Sequence, residues 1–166
     1  MQPKPKVAIL TASDRGFRGE RESTSALVLR ELAEEELNGQ IVEDRVVPDE
    51  TDEVMAALIE MSDYHHADLI LTTGGVGLRA RDTTPEATRR VIEREAPGFA
   101  EMIRTSLRAK GRLAAQFRGT AGTRGNTLIV NLPSTPKGVS IAMLAMMKEL
   151  TAALETLQGK EAEPDE

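Results

Sequence analysis

Short apolar runs alternate along this chain with longer stretches in which apolar positions recur every three or four residues. The run KVAIL, 6–10, is bounded by polar residues and predicts a buried strand. Over 24–38, Leu27, Leu29, Leu32, Ala33 and Leu37 fall at roughly helical spacing, and Asn38-Gly39 is a helix stop. A second strand is predicted over 41–47, and a helix opens at Thr51 and continues through Val54, Ala57, Leu58 and Met61. DLILTT, 68–73, reads as a third strand ending in glycines. Thr84-Pro85-Glu86 is a helix start, with a capping hydroxyl, proline in the first turn and an acid behind it. That helix is expected to run to about Glu95. Pro97-Gly98 is expected to break the chain before a helix from Phe99 to about Lys110. A glycine-interrupted strand, a turn at Arg124-Gly125-Asn126 and a strand over 127–131 follow, then a long apolar helix from Val139 to about Leu157. The tail GKEAEPDE carries no apolar content and is expected to be disordered.

Strands alternating with helices at this spacing give an α/β protein with a mainly parallel sheet covered on both faces. No repeat or linker interrupts it, so a single domain over 1–158 is expected, followed by the acidic tail 159–166. In such sheets ligands bind beyond the carboxyl ends of the strands. Four polar clusters lie there: TASDR after the first strand, PDE after the second, TTGGVG after the third and NLPSTPK after the last.

Composition narrows the chemistry. With no cysteine and only two adjacent histidines, His65 and His66, thiolate and imidazole metal sites are set aside. Any metal would be a hard cation held by carboxylates and phosphate oxygens, of the Mg²⁺ kind. Aromatic content of 2% leaves no stacking platform for single-stranded nucleic acid, and the formal charge of −6 gives no basic footprint for one. The amino terminus has no apolar run of leader or membrane-span length, so a cytoplasmic protein without a membrane partner is expected. Acids crowd residues 31–60 and basic residues crowd 78–118; solvated helix faces explain both on charge alone. Ser13, Ser25 and Ser134 have no histidine placed to activate them. Met143, Met146 and Met147 read as core or subunit contact.

The segment LTTGGVGLRARDTTPEA holds the most concentrated chemistry. Glycines directly after a strand let backbone N–H groups approach an anion, and glycines there are also common turn residues. No Walker loop is present, and the dinucleotide spacing G-x-G-x-x-G fails at Ala80. Arg79 and Arg81 suit phosphate oxygens. Asp82 beside them calls for an intervening cation, and Asp49 with Glu50 offers a second carboxylate source. Helix capping accounts for Asp49, and a turn or cap for Asp82, about as well when each is taken alone. Together on one edge they describe metal-assisted nucleotidyl or phosphoryl transfer.

The blocks ILTASDR, VVPDE, LTTGGVGLRARDTTPEA, APGFAEMIR and AGTRGNTLIVNLPSTPKG, in this order, resemble the MogA/MoaB family of molybdenum cofactor biosynthesis proteins and the related G domains of gephyrin and the plant Cnx proteins. The resemblance covers 6–157. It implies a three-layer α/β/α fold, assembled as a homotrimer or hexamer, and molybdopterin adenylyltransfer, in which Mg²⁺ and ATP convert molybdopterin to its adenylyl form with release of pyrophosphate. The family's required carboxylates match Asp49 and Asp82, which would also serve the metal. The ligand-site positions match Ser13, Asp14, Gly74, Gly75, Val76, Gly77, Asn131, Pro133, Ser134 and Lys137. Four positions depart from the pattern: Val76 for threonine, Ser134 for glycine, Ser23 for aspartate and Ala26 for glycine. They motivate an alternative, a pterin-binding carrier or oligomeric scaffold that kept the fold and lost the reaction.

Overall fold

Alternation of apolar side chains within each strand sets the layering. The structure, a computed structural model, describes residues 3–160. Its strands are β1 (Lys6–Ala12), β2 (Gln40–Val47), β3 (Leu69–Thr73), β4 (Arg94–Glu95), β5 (Ala121–Arg124) and β6 (Thr127–Leu132). Its helices are α1 (Asp14–Phe17), α2 (Thr24–Glu35), α3 (Thr51–Asp63), α4 (Thr84–Val91), α5 (Pro97–Ala109) and α6 (Pro136–Leu157). The strands form one sheet in the order β2-β1-β3-β6-β5-β4. β1 runs parallel to β2 and β3, and β3 parallel to β6, while β5 is antiparallel to both of its neighbours.

Odd and even positions of the central strands serve opposite faces, as a period of two requires. Val7, Ile9, Leu69, Leu71, Leu128 and Val130 pack against α2, α5 and α6. Ala8, Leu10, Ile70 and Ile129 pack against α3 and α4. β3 and β6 are therefore apolar along most of their length, the mark of strands covered on both sides. Three layers result, as expected. The chain leaves β1 toward β2 and returns on its other side as β3, so a crevice opens at the carboxyl ends of β1 and β3.

Four local expectations need correction. α4 stops at Val91, because Ile92 turns extended (φ −73°, ψ 147°) and Glu93 N donates to Thr123 O, which sends Arg94–Glu95 into the sheet beside β5. Thr84 caps nothing: Thr83 holds the cap position, no side chain bonds there, and the buried Thr84 hydroxyl has no partner among the described residues. Pro97 opens α5 instead of breaking the chain before it. α6 begins at Pro136, where Thr135 Oγ1 accepts from Gly138 N at 3.1 Å, three residues ahead of the expected start. The four-residue α1 was not foreseen. Of the expected tail, 161–166 lies outside the described residues.

Candidate active site

Each central parallel strand delivers its next residues to the same end of the sheet. After β1, Ser13 caps α1, its Oγ accepting from Gly16 N at 3.0 Å. After β2 comes Asp49, after β3 the Gly74-Gly75 pair, and after β6 Ser134 and Thr135. These residues line one open cleft of about 550 Å³, together with Asp14, Arg79, Arg81 and Asp82. That volume suits a small-molecule ligand. The lining of the cleft combines carboxylates and guanidinium groups with hydroxyl residues Ser23, Thr24, Ser25, Ser134 and Thr135. The starts of α2 and α6, capped by Ser23 and Thr135, contribute to this lining.

The carboxylates form a connected set. Asp14 N donates to Asp49 Oδ2 and Asp49 N donates to Asp14 Oδ1, both at 3.0 Å, which locks the loops after β1 and β2 together. Arg81 donates to Asp14 through Nε (2.7 Å) and Nη2 (2.9 Å), a bidentate pair, and lies 3.7 Å from Glu50. Asp82 Oδ2 accepts from Arg79 N at 2.9 Å. Hydrogen bonding from Arg81, reinforced by the bond from Asp49 N, holds the Asp14 carboxyl down at about 2 against the opposing effect of burial. Asp49 moves the other way: burial raises it, and the nearby Asp14 and Asp82 charges add to that.

The signs separate the two groups. Asp14 stabilises the fold above its ordinary value of 3.8, and that contribution is lost as pH falls toward about 2. Asp49, raised on folding, costs stability when ionised and is relieved by acid. A carboxyl carbon NMR titration is expected to find Asp14 still ionised at pH 3 and the Asp49 midpoint above 3.8. Arg81→Ala should move the Asp14 midpoint upward. A wild-type Asp14 midpoint near 4 would contradict the Arg81 pairing.

The glycines exclude side chains for a reason internal to the protein. Gly74 has φ +94°, and a Cβ there would overlap the Ala12 carbonyl oxygen at the end of β1. At Gly75 it would strike Thr84 Oγ1 and lie 3.3 Å from Asp49 Oδ1; at Gly77 it would lie 2.9 Å from Asp82 Oδ2. The approach read from the sequence as that of a phosphate is first an approach of neighbouring loops.

Of the other positions singled out by resemblance, Val76, Gly77, Asn131, Pro133 and Lys137 do not line the cleft. Val76 is buried in the core beneath it. Asn131 is fully buried: Nδ2 donates to Thr72 Oγ1 and Thr88 Oγ1, both at 3.0 Å, and Oδ1 accepts from Thr120 N at 3.1 Å. The Pro133 carbonyl accepts from Thr73 Oγ1 at 2.8 Å. Lys137 is exposed on the first turn of α6. Asn131→Ala is therefore expected to cost about 3 kcal/mol in urea unfolding, since it strands buried partners. A purely ligand-contacting asparagine would leave stability unchanged.

The four departures are accommodated. Ser23 Oγ accepts from Ala26 N at 3.2 Å, the bond an aspartate cap would make. Ala26 and Val76 pack in the core. Ser134 is not among the non-glycine residues with positive φ, so its β-carbon meets no backbone penalty. Thr11, Arg15 and Thr135 lie in the polar clusters read at the strand ends and do line the cleft; Arg21 and Thr24 line it as well and were not singled out from sequence. Arg21 sits in the loop between α1 and α2 and Thr24 at the first position of α2, where neither carries a motif.

Among the described residues, no three or more histidine and acidic side chains gather as a metal site. Asp49 and Asp82 nevertheless offer hard oxygens at the cleft. One or two carboxylates completed by substrate phosphates are the usual arrangement for Mg²⁺, so these residues fit such an ion.

A family model described as a probable molybdopterin binding domain matches residues 8–156. The chain is 36% identical over 154 residues to a molybdopterin adenylyltransferase of Helicobacter pylori (strain J99), covering 92% of this chain and 88% of that one. It is 34% identical over 135 residues to the molybdopterin adenylyltransferase of Escherichia coli (strain K12), covering 81% and 69%. The crystal structure of the molybdopterin biosynthesis enzyme MoaB from Thermus thermophilus superposes with a TM-score of 0.87 at 44% identity, covering 95% of this chain and 99% of that one.

Proposed function

The chain belongs to the probable molybdopterin binding domain family, in its MogA/MoaB branch, and from that premise we propose that it is a molybdopterin adenylyltransferase, a nucleotidyltransferase that joins AMP from ATP to the molybdopterin phosphate. One observation carries the reading: four strand-end loops bring Asp49, Asp82 and the arginines into a single cleft faced by hydroxyls and two helix amino termini. The named relatives supply the reaction.

The terminal phosphate oxygen of molybdopterin attacks the α-phosphorus of ATP; the new P–O bond forms as the bond to the β-phosphate oxygen breaks, and pyrophosphate leaves. No proton need be removed from a phosphate nucleophile, so the protein contributes position and charge. Arg79 and Arg81 bind the phosphates, and the N–H groups at the starts of α2 and α6 receive anionic oxygens. Asp49 and Asp82 would hold Mg²⁺, which neutralises developing phosphate charge when bound. Mutual repulsion with Asp14 and Asp82 is part of what raises Asp49, and a cation would relieve it.

The carrier or scaffold alternative loses its motive, because each loop departure that suggested it is absorbed by a cap, the core or an ordinary φ. Assembly is expected to be a homotrimer or hexamer, measured by light scattering, in a cytoplasmic setting. No described helix is long and apolar enough to cross a membrane. The deciding experiment is pyrophosphate release from ATP and Mg²⁺ with and without molybdopterin. Pterin-dependent release is expected; binding of both substrates without release would return the carrier reading.

A further inference from the structure

Glu86 stands in the Thr-Pro-Glu-Ala block, yet it does not line the cleft. Its carboxylate accepts from Arg118 Nη1 at 2.8 Å (Oε1) and 3.3 Å (Oε2). The same guanidinium donates through Nε to Gly77 O at 2.7 Å and through Nη2 to Asp82 O at 2.8 Å, while Arg118 N donates to Val76 O at 2.9 Å. One residue therefore grips both ends of loop 77–82, the segment that carries Arg79, Arg81 and Asp82, and ties it to α4.

The grip has a fixed base. Arg104 on α5 donates to Phe117 O (3.2 Å) and Gly119 O (3.4 Å), on either side of Arg118, and its guanidinium lies 5.5 Å from the Phe117 ring centre. Buried Asn131 holds Thr120 N. Inside the loop, Asp82 N donates to Arg79 O at 2.9 Å, closing a turn whose ends Arg118 sets. The guanidinium reaches these acceptors from three separate nitrogens in one plane, whereas a lysine ammonium donates from a single nitrogen and cannot span all three.

We infer that Arg118, braced by Glu86, is a positioning residue that holds loop 77–82 so that Asp82 and Arg81 meet the reacting phosphates. This rests on the adenylyltransferase reading for its chemistry and on the hydrogen bonds alone for its geometry. Misplacing a reacting group by about 1 Å costs on the order of 100-fold in rate.

The test compares Arg118→Lys with Arg124→Lys. Arg124 makes an equally elaborate contact, to Asp63 and Val91 O, at the edge of the sheet away from the cleft. Arg118→Lys should lower kcat by about 100-fold with KM for either substrate changed only about 3-fold, and its crystal structure should show loop 77–82 displaced. Arg124→Lys should keep wild-type kcat. Methylguanidine should restore part of the rate of Arg118→Ala, which a general loss of stability would not allow. Wild-type kcat in Arg118→Lys, or an unmoved loop, overturns the inference. If Arg118→Lys does not fold, Glu86→Gln decides: a smaller fall in kcat with a shifted loop supports it, and an unchanged rate and loop overturn it. If the wild-type protein itself releases no pterin-dependent pyrophosphate, the reaction assignment fails, and the loop position in Arg118→Lys still decides the positioning role.

Discussion

Asp82→Asn should lower pterin-dependent pyrophosphate release by roughly 100- to 1,000-fold while the protein melts as the wild type does. The side chain is half-buried, and its one described hydrogen bond is accepted from Arg79 N. An amide oxygen accepts that bond equally well, so the 79–82 turn survives. What disappears is the negative charge lining the cleft and, on the proposed reading, a ligand for the cation that would accompany the phosphates. Asp49→Asn should behave alike, since an amide oxygen can still accept from Asp14 N. Pyrophosphate release and a thermal melt on each variant separate the two effects. Undiminished turnover would remove Asp82 from the reaction.

Gly74→Ala should destabilise the whole protein by roughly 4 kcal/mol or more, from steric overlap added to a strained backbone. The conformation at φ +94° is poor for any residue with a side chain, and the new Cβ overlaps a carbonyl oxygen, not the end of a flexible side chain. That carbonyl belongs to Ala12, the last residue of β1, which is held between β2 and β3. Relief requires moving the centre of the sheet. For a chain of this length such a loss lowers Tm by about 10 °C. A melting temperature within two or three degrees of the wild type, about 1 kcal/mol, would show that the crevice yields more easily than its contacts imply.

The contrast between these two residues bears on what a sequence makes legible. Strands and helices were readable because KVAIL and LILTT are buried on both faces and the helices have one apolar face, both local signals. The end of α4 was not: Ile92 to Glu95 has a helix-compatible composition, and only its pairing with Thr123 and Gly122, some thirty residues on, draws it into the sheet. The cleft was readable as a place, because strand ends in a parallel sheet share an edge. The division of labour within it was not. Asn131 and Val76 look like ligand residues by motif and are built into the interior. Gly74 and Gly75 look like room for a phosphate; both line the cleft, and the space a side chain would need there is already taken by Ala12 and Thr84. A recurring motif records that a residue is needed, and the need can be met by the ligand or by the loop next door.

The order of the strands has a consequence for how the molecule comes together. The cleft exists only once β1 pairs with β3 and β3 with β6, which joins Val7 to Leu69 and Leu69 to Leu128, each about sixty residues apart. Such distant parallel pairings form slowly, because chain closure must precede the contacts that reward it. A nascent or partly opened chain therefore holds no binding-competent cleft, and a substrate meets only molecules whose sheet is complete. By mass action a ligand at 100 times its Kd would then add about 2.7 kcal/mol to the stability of the entire chain, so that on the proposed reading substrate occupancy and resistance to unfolding rise together.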